Sequence, residues 1–245
     1  MSDVTTTEKS ARKGTDAPVL EARGLCAGYG TQPVVHDLDI AIRPGEVVAL
    51  LGANGAGKTT TLLALSGELP VMEGTVEFGG APTKAPLHVR AKNGMAFVTE
   101  ERSVFMQMST MDNIRVGRCD EQRVLEMFPV LKERAAVRGG LLSGGEQQML
   151  TLARAISRNP KVLLADELSL GLAPMIVDQL LQTVREQAAE HGMGVLLVEQ
   201  HVRKVLAYAD LVYVMQRGRV VLEGEATEIK ARVGEIEQTY MAGGL

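Results

Sequence analysis

The chain has 245 residues, of which 45% are hydrophobic and 23% charged, with a net charge of -4, enough to bury a core and ordinary for a globular protein. That weakly acidic balance excludes the broad basic field that would favour nucleic acid. Apolar runs such as VVALL at 47–51 and VLLA at 162–165 are too short to cross a bilayer, and Cys26 and Cys119, without metal-like spacing, read as two reduced thiols.

In chain order, the polar and charged residues 1–17 are expected to form a disordered tail. From Val19 the sequence reads as short strands, VLEARGL and then VVHDLDIAI, with apolar residues alternating at Val35, Leu38, Ile40 and Ile42. RPG at 43–45 marks a turn, and EVVALLG at 46–52 is an apolar strand followed by a glycine-rich loop and a helix from Lys58. GTVEFGG (74–80) and GMAFVT (94–99) are further strands. From about 101 to 159 the pattern turns helical, clearest over Glu121 to Ala136 and Glu146 to Arg158, and this stretch is expected to be an inserted subdomain. Then come the strand VLLAD (162–166), a helix over Ile176 to His191, the strand GVLLVE (194–199), a short helix from Val202, the strand DLVYVMQ (210–216) and a hairpin-like RGRVVLEG (217–224). Buried strands alternating with helices predict an α/β domain, with a mainly parallel sheet covered by helices and an antiparallel β part at the N-terminal end.

Three strand ends carry chemistry. LGANGAGKTT (51–60) contains G-x-x-x-x-G-K-T between a predicted strand and a predicted helix, the setting that a phosphate loop requires. Gly55 and Gly57 let backbone N–H groups turn toward phosphate oxygens, Lys58 supplies a mobile positive charge, and the Thr59 hydroxyl can ligate Mg²⁺. Gly52, Asn54, Gly55, Ala56, Gly57, Lys58, Thr59 and Thr60 are the expected ATP contacts. VLLADE (162–167) ends in two carboxylates: Asp166 suits Mg²⁺, and Glu167 is placed to polarise a water. His201 follows the strand GVLLVE at a third strand–loop junction, where open α/β sheets bind ligands. A second phosphate-facing helix start lies in LLSGGEQQML (141–150). There Ser143 and Glu146 form a capping box, and Gly144 and Gly145 leave the helix mouth bare of side chains.

GANGAGKTT, LSGGEQQ, VLLADE and VEQH, in this order, resemble the ATP-binding subunits of ABC transporters, a likeness that runs from Val19 to about Gly224. The resemblance implies a P-loop NTPase core over residues 18–245, with the helical subdomain at about 101–159 inserted in it. It also implies an ATPase that pairs head to tail with a second ATP-binding subunit, identical or homologous. Ser143, Gly144, Gly145 and Glu146 would then face the partner's ATP. It implies that Tyr29 stacks on adenine, a buried core tyrosine being the alternative, and that His201 contacts the γ-phosphate. Glu100 falls where most members have a glutamine that touches Mg²⁺, so the expected metal set is Thr59, Asp166 and Glu100.

ELSLGLAP (167–174) and VTEERSVF (98–105) resemble the smaller ATPase of branched-chain amino acid importers, although Leu168 replaces a usual proline. This implies transmembrane permease subunits, indirectly a periplasmic or extracellular solute-binding protein, no nucleic acid partner, and a peripheral position on the cytoplasmic face of the membrane. In such relatives the region of Met106, Met108 and Met111 faces the transmembrane subunits; core filling is the alternative. A non-transport ABC-type ATPase is the other functional reading.

Overall fold

The computed structural model describes residues 17–200 and 202–234. The expected tail lies outside the described residues except for Ala17, and so does His201.

The chain begins with a long hairpin, β1 (Leu20–Tyr29) and β2 (Gln32–Ile42), and then enters β3 (Val47–Leu51), whose five residues are all buried. The phosphate loop leads into α1 (Lys58–Ser66). Next come β4 (Val71–Phe78), β5 (Ala81–Pro82), α2 (Leu87–Lys92) and β6 (Met95–Val98). A helical stretch follows: α3 (Thr110–Val116), α4 (Glu121–Met127), α5 (Val130–Glu133), a 3₁₀ turn at Gly139–Leu141 and α6 (Gly144–Ile156). The remainder is β7 (Val162–Asp166), α7 (Pro174–His191), β8 (Gly194–Glu199), α8 (Val202–Val205), β9 (Leu211–Gln216), β10 (Arg219–Glu225) and α9 (Ala226–Ala231).

These strands form two sheets. The first is antiparallel, in the order β2-β1-β4-β5; the second has six strands in the order β10-β9-β3-β8-β7-β6. In the second, β9, β3, β8, β7 and β6 run parallel and only β10 is antiparallel to its neighbour. Apolar runs without alternation are what such a sheet needs, because both of its faces are covered. On β3, Val47, Ala49 and Leu51 enter the core beneath α6 and α7, while Val48 and Leu50 enter the core shared with α1 and the antiparallel sheet. β8 divides in the same way, with Val195 and Leu197 on one side and Leu196 and Val198 on the other. Each fully buried leucine here contributes about 2 kcal/mol.

The helix expected over 121–136 is two helices. Phe128, before Pro129, adopts φ -134° and ψ 82°, the extended backbone that a following proline imposes. Pro129 also has no N–H to continue the ladder. α7 begins at Pro174, two residues earlier than its apolar pattern indicates, with proline at the first helical position, where a missing N–H costs nothing.

Candidate nucleotide site

β8 lies between β3 and β7, so the C-terminal ends of three neighbouring strands deliver the phosphate loop, the Asp166–Glu167 pair and the Glu199–Gln200 pair to one edge of the sheet. Ligands bind at such edges because the loops there are free to shape a crevice.

The phosphate loop is held open by its own backbone. Gly57 caps α1 at φ 105°, a left-handed conformation that disfavours a side chain. The Gly218 N–H, in the β9–β10 turn, donates to the Ala56 carbonyl at 2.9 Å, and the His36 N–H donates to the Gly218 carbonyl at 2.8 Å. The loop is thereby tied to the β1–β2 hairpin. A Cβ on Gly218 would lie 2.0 Å from the Val34 carbonyl oxygen, so only glycine fits this tie. Asn54 and Gly55 are exposed, whereas Gly52, Ala56 and Thr60 are buried.

Lys58 is buried, and its Nζ donates to the carbonyls of Gly52 at 2.8 Å and Ala53 at 3.2 Å, 3.8 Å from Glu167 Oε1. Burial lowers its pKa, against the opposing pull of the carboxylates of Glu167, Asp166 and Glu199. The Thr59 hydroxyl donates to Asp166 Oδ2 at 3.0 Å. Burial pushes the Asp166 carboxyl up, with the Thr59 hydrogen bond acting against it.

Asp166 Oδ1 is buried and has no hydrogen-bond partner. An orphaned carboxylate oxygen beside a hydroxyl is a hard-oxygen donor set that fits Mg²⁺. Among the described residues no group of three or more His, Cys, Asp or Glu is disposed to hold a metal ion. Mg²⁺ takes one or two protein ligands and fills its shell with phosphate oxygens and water. Glu100 is exposed and bears on Asp166 as a nearby negative charge.

Glu167 stands at φ 50°, left-handed and strained for a glutamate. Its N–H donates to the Val198 carbonyl at 2.9 Å, and its Oε1 accepts from Gln200 Nε2 at 2.7 Å. The structure therefore brings Lys58, Thr59, Asp166 and Glu167 together as expected from their motifs. Glu199, Gln200 and Ser169 lie within the VEQH and ELSLGLAP strings without a role assigned to them individually there. Glu199 closes an otherwise apolar strand and is 1% exposed; a carboxylate ending such a strand was the available signal.

Tyr29 is 55% exposed at the tip of the hairpin that packs on the phosphate loop, so it is not the buried core residue of the alternative reading. Ser143 caps α6: its Oγ accepts from the Glu146 N–H at 3.3 Å, and Glu146 Oε2 accepts from the Ser143 N–H at 2.8 Å. Burial acts to raise the Glu146 carboxyl, but hydrogen bonds from Arg134 (2.8 Å) and Ser143 outweigh it and hold the pKa low. Gly144 and Gly145 make room for neighbours; Cβ atoms there would lie 3.2 Å from the Arg102 guanidinium and 3.0 Å from Ile176. Among the described residues no hydrogen bond or ion pair joins 143–146 to the phosphate loop of the same chain.

Residues 35–169, more than half of the chain, match the family model described as ABC transporter. The chain belongs to the ABC transporter ATPases. It binds and hydrolyses ATP and works with transmembrane permease components. This ABC ATPase is 37% identical to the high-affinity branched-chain amino acid transport ATP-binding protein BraG of Pseudomonas aeruginosa, covering 88% of this chain and 96% of BraG. It is 34% identical to the lipopolysaccharide export system ATP-binding protein LptB of Escherichia coli, covering 86% and 92%. Among solved structures, the ATP-binding subunit of an ABC transporter superposes with TM-score 0.77 at 25% identity, covering 91% of this chain and 99% of that one. An ATP-binding cassette in its ADP conformation shares the fold, with TM-score 0.80 at 24% identity over 90% of this chain and 98% of that one. Among the described residues of this ABC ATPase, no helix is long and apolar enough to cross a membrane.

Proposed function

We propose that this ABC ATPase energises an amino acid importer of the branched-chain type by ATP-dependent closure of a dimer. The observation that carries this reading is its 37% identity to BraG over nearly the whole of both chains. ELSLGLAP and VTEERSVF weigh on the same side through their resemblance to importer ATPases. The LptB similarity, at 34% over a comparable share, favours a second reading, export of a lipid-linked saccharide.

In either case the same side chains act. Thr59 and Asp166 would hold Mg²⁺, which when bound neutralises charge on the phosphates. Lys58 exchanges its loop carbonyls for β- and γ-phosphate oxygens, and the exposed ring of Tyr29 stacks on adenine. Glu167 accepts the proton of the water whose oxygen attacks the γ-phosphorus, as the bond to the β-phosphate oxygen breaks. The mouth of α6, with Ser143 and the N–H groups of Gly144 and Gly145, faces the γ-phosphate held by the neighbouring subunit, identical or homologous. Charge and helix dipole then favour closure only while that phosphate is present. Met106, exposed beside Phe105, is part of the surface that would dock on the permease, with the subunit on the cytoplasmic face of the membrane; Met111 packs against the core instead. A solute-binding protein delivers the cargo to the opposite side.

Reconstitution of the full chain with its permease subunits in proteoliposomes tests the cargo. ATP-dependent uptake of labelled leucine in the presence of the binding protein is expected. ATPase activity stimulated by lipopolysaccharide, with no uptake of leucine, isoleucine or valine, would replace the importer by the exporter.

A further inference from the structure

Four charged residues are buried among the described ones: Lys58, Arg90, Asp166 and Glu199. Three of them meet at the nucleotide site, where the carboxylates of Asp166 and Glu199, with that of Glu167, bear on Lys58. Arg90, on α2 and 2% exposed, lies instead at the far end of α1. α1 spans nine residues, so at 1.5 Å per residue its two ends stand about 12 Å apart.

The Arg90 guanidinium donates from Nε to the Ala85 carbonyl at 2.7 Å, from Nη1 to the Leu65 carbonyl at 2.5 Å and from Nη2 to the Thr83 carbonyl at 3.4 Å. The Leu65 carbonyl belongs to the last turn of α1, the negative end of that helix, and offsets part of the charge. No carboxylate does so: burial lowers the Arg90 pKa with no negative side chain acting against it. A guanidinium has five N–H groups, so these bonds leave one N–H on Nη1 and one on Nη2 for a further acceptor. A buried cation without an opposite charge is costly.

Arg90 also lines a cavity of about 530 Å³ bounded by the end of α1, β4, β5 and the turn that leads into α2. That volume falls within the roughly 300–1,000 Å³ of small-molecule sites. The walls are largely hydrocarbon: Leu69, Val71, Met72, Val76, Pro82 and Pro86. Val76 is buried like Arg90, whereas Met72, Pro82, Lys84 and Glu68 are exposed. The inner end thus combines a guanidinium with apolar surface, and the mouth carries an ammonium. Among the lining residues Arg90 and Lys84 outnumber Glu68 by one charge, so a single negative charge balances them.

We propose that this cavity is a binding site for a small aliphatic carboxylate, separate from the nucleotide site, with the carboxylate held by Arg90 and Lys84 and the hydrocarbon laid against Leu69, Val71 and Val76. A carboxylate accepts from both remaining guanidinium N–H groups. Inorganic phosphate brings more charge than the cavity balances and nothing to cover its apolar walls.

The test titrates the full chain, methyl-labelled at Val, Leu and Met, with isovalerate and follows the methyl resonances by NMR. Isovaleramide serves as the uncharged twin, and inorganic phosphate as the anion without a hydrocarbon tail. Saturable shifts are expected at Leu69, Val71, Met72 and Val76, with a Kd of about 1 mM for so small a ligand. Met215, whose methyl lies 3.4 Å from where a Cβ on Gly57 would stand, reports on the phosphate loop and should not move. Isovaleramide, phosphate and the Arg90→Met chain should each bind about 10- to 100-fold more weakly, the loss of a charge-assisted contact. Because Arg90→Met also strips bonds from the end of α1, Lys84→Glu at an exposed position is the second variant, expected to weaken isovalerate about 3- to 10-fold with Tm unchanged. No saturation by about 10 mM, ten times the expected Kd, would overturn the site. So would shifts centred on Met215, equal binding of isovaleramide or phosphate, or unchanged affinity in Lys84→Glu.

Discussion

Glu199→Gln gives a quantitative handle on the buried end of β8. Burial drives the Glu199 carboxyl up from 4.5 to about 7; the two hydrogen bonds from Ser169 resist this, and the charges of Glu167 and Asp166 add to it. A group whose native pKa lies above its unfolded one binds more protons when folded. Its presence therefore lowers stability as pH rises from the unfolded pKa to the native one, with no further change above that. At 1.36 kcal/mol per pH unit, the full penalty for ionising this buried carboxyl is about 3 kcal/mol. Glutamine keeps an acceptor for Ser169 and cannot ionise. The stability of Glu199→Gln relative to the unsubstituted chain should accordingly rise by about 2–3 kcal/mol between pH 5 and pH 8. In a chain of this size that widens the Tm gap by about 5–10 °C. Paired urea and thermal unfolding curves at half-unit pH steps, without nucleotide, measure the difference; the contributions of Asp166 and Lys58 are common to both chains and largely cancel. A gap that stays flat from pH 5 to 8, or that narrows, would refute the account of Glu199 as a carboxyl whose pKa is raised by burial.

Lys58→Ala should abolish nucleotide binding in a fluorescent-ATP titration, since it removes the only mobile cation placed within the phosphate loop; unchanged affinity would displace the site. Ser143→Ala removes a helix cap and should lower stability by about 1 kcal/mol while leaving ATP binding by the isolated subunit intact, as read by unfolding and titration side by side. Mixing the Lys58→Ala and Ser143→Ala chains should restore turnover in an ATPase assay, because one mixed dimer then pairs an intact loop with an intact α6 mouth; two inactive partners that associate without restored turnover would count against a shared pocket. Gly218→Ala sets a Cβ 2.0 Å from the Val34 carbonyl at a residue with φ 79° and should cost about 2–5 kcal/mol from strain and overpacking. Weaker ATP binding should accompany the lowered Tm, since Gly218 holds Ala56.

The parts legible in advance are those whose signal is local. β3, β7 and β8 read as buried strands because four or five apolar residues run together, and α1 starts at Lys58, where the loop motif sets it. α6 was legible from its capping box, because Ser143 and Glu146 satisfy each other within one turn. α3 was not separated from its surroundings: seven residues are too few for the apolar period to declare itself, although the Ser109 side chain does cap it on the Asp112 N–H. Over 121–136 the apolar period continues through Phe128 and Leu131, which are buried on either side of the Pro129 break, so periodicity alone does not separate the two helices. In the site, Lys58, Thr59, Asp166 and Glu167 follow from motifs, each written in a few consecutive residues. The partnership of Glu199 and Gln200 with Ser169 and Glu167 spans 30 and 33 positions. It exists only because β8 is seated beside β7; the carboxylate that ends β8 marks Glu199 but not its partner.

Lys58 already has two oxygen partners within its own loop. When a spent nucleotide departs, the ammonium falls back on those oxygens rather than standing uncompensated in a dry cleft. Emptying the cleft therefore creates no stranded cation that would have to be quenched by collapse of the loop. Successive rounds of turnover can begin from a cradle that keeps its shape between occupants.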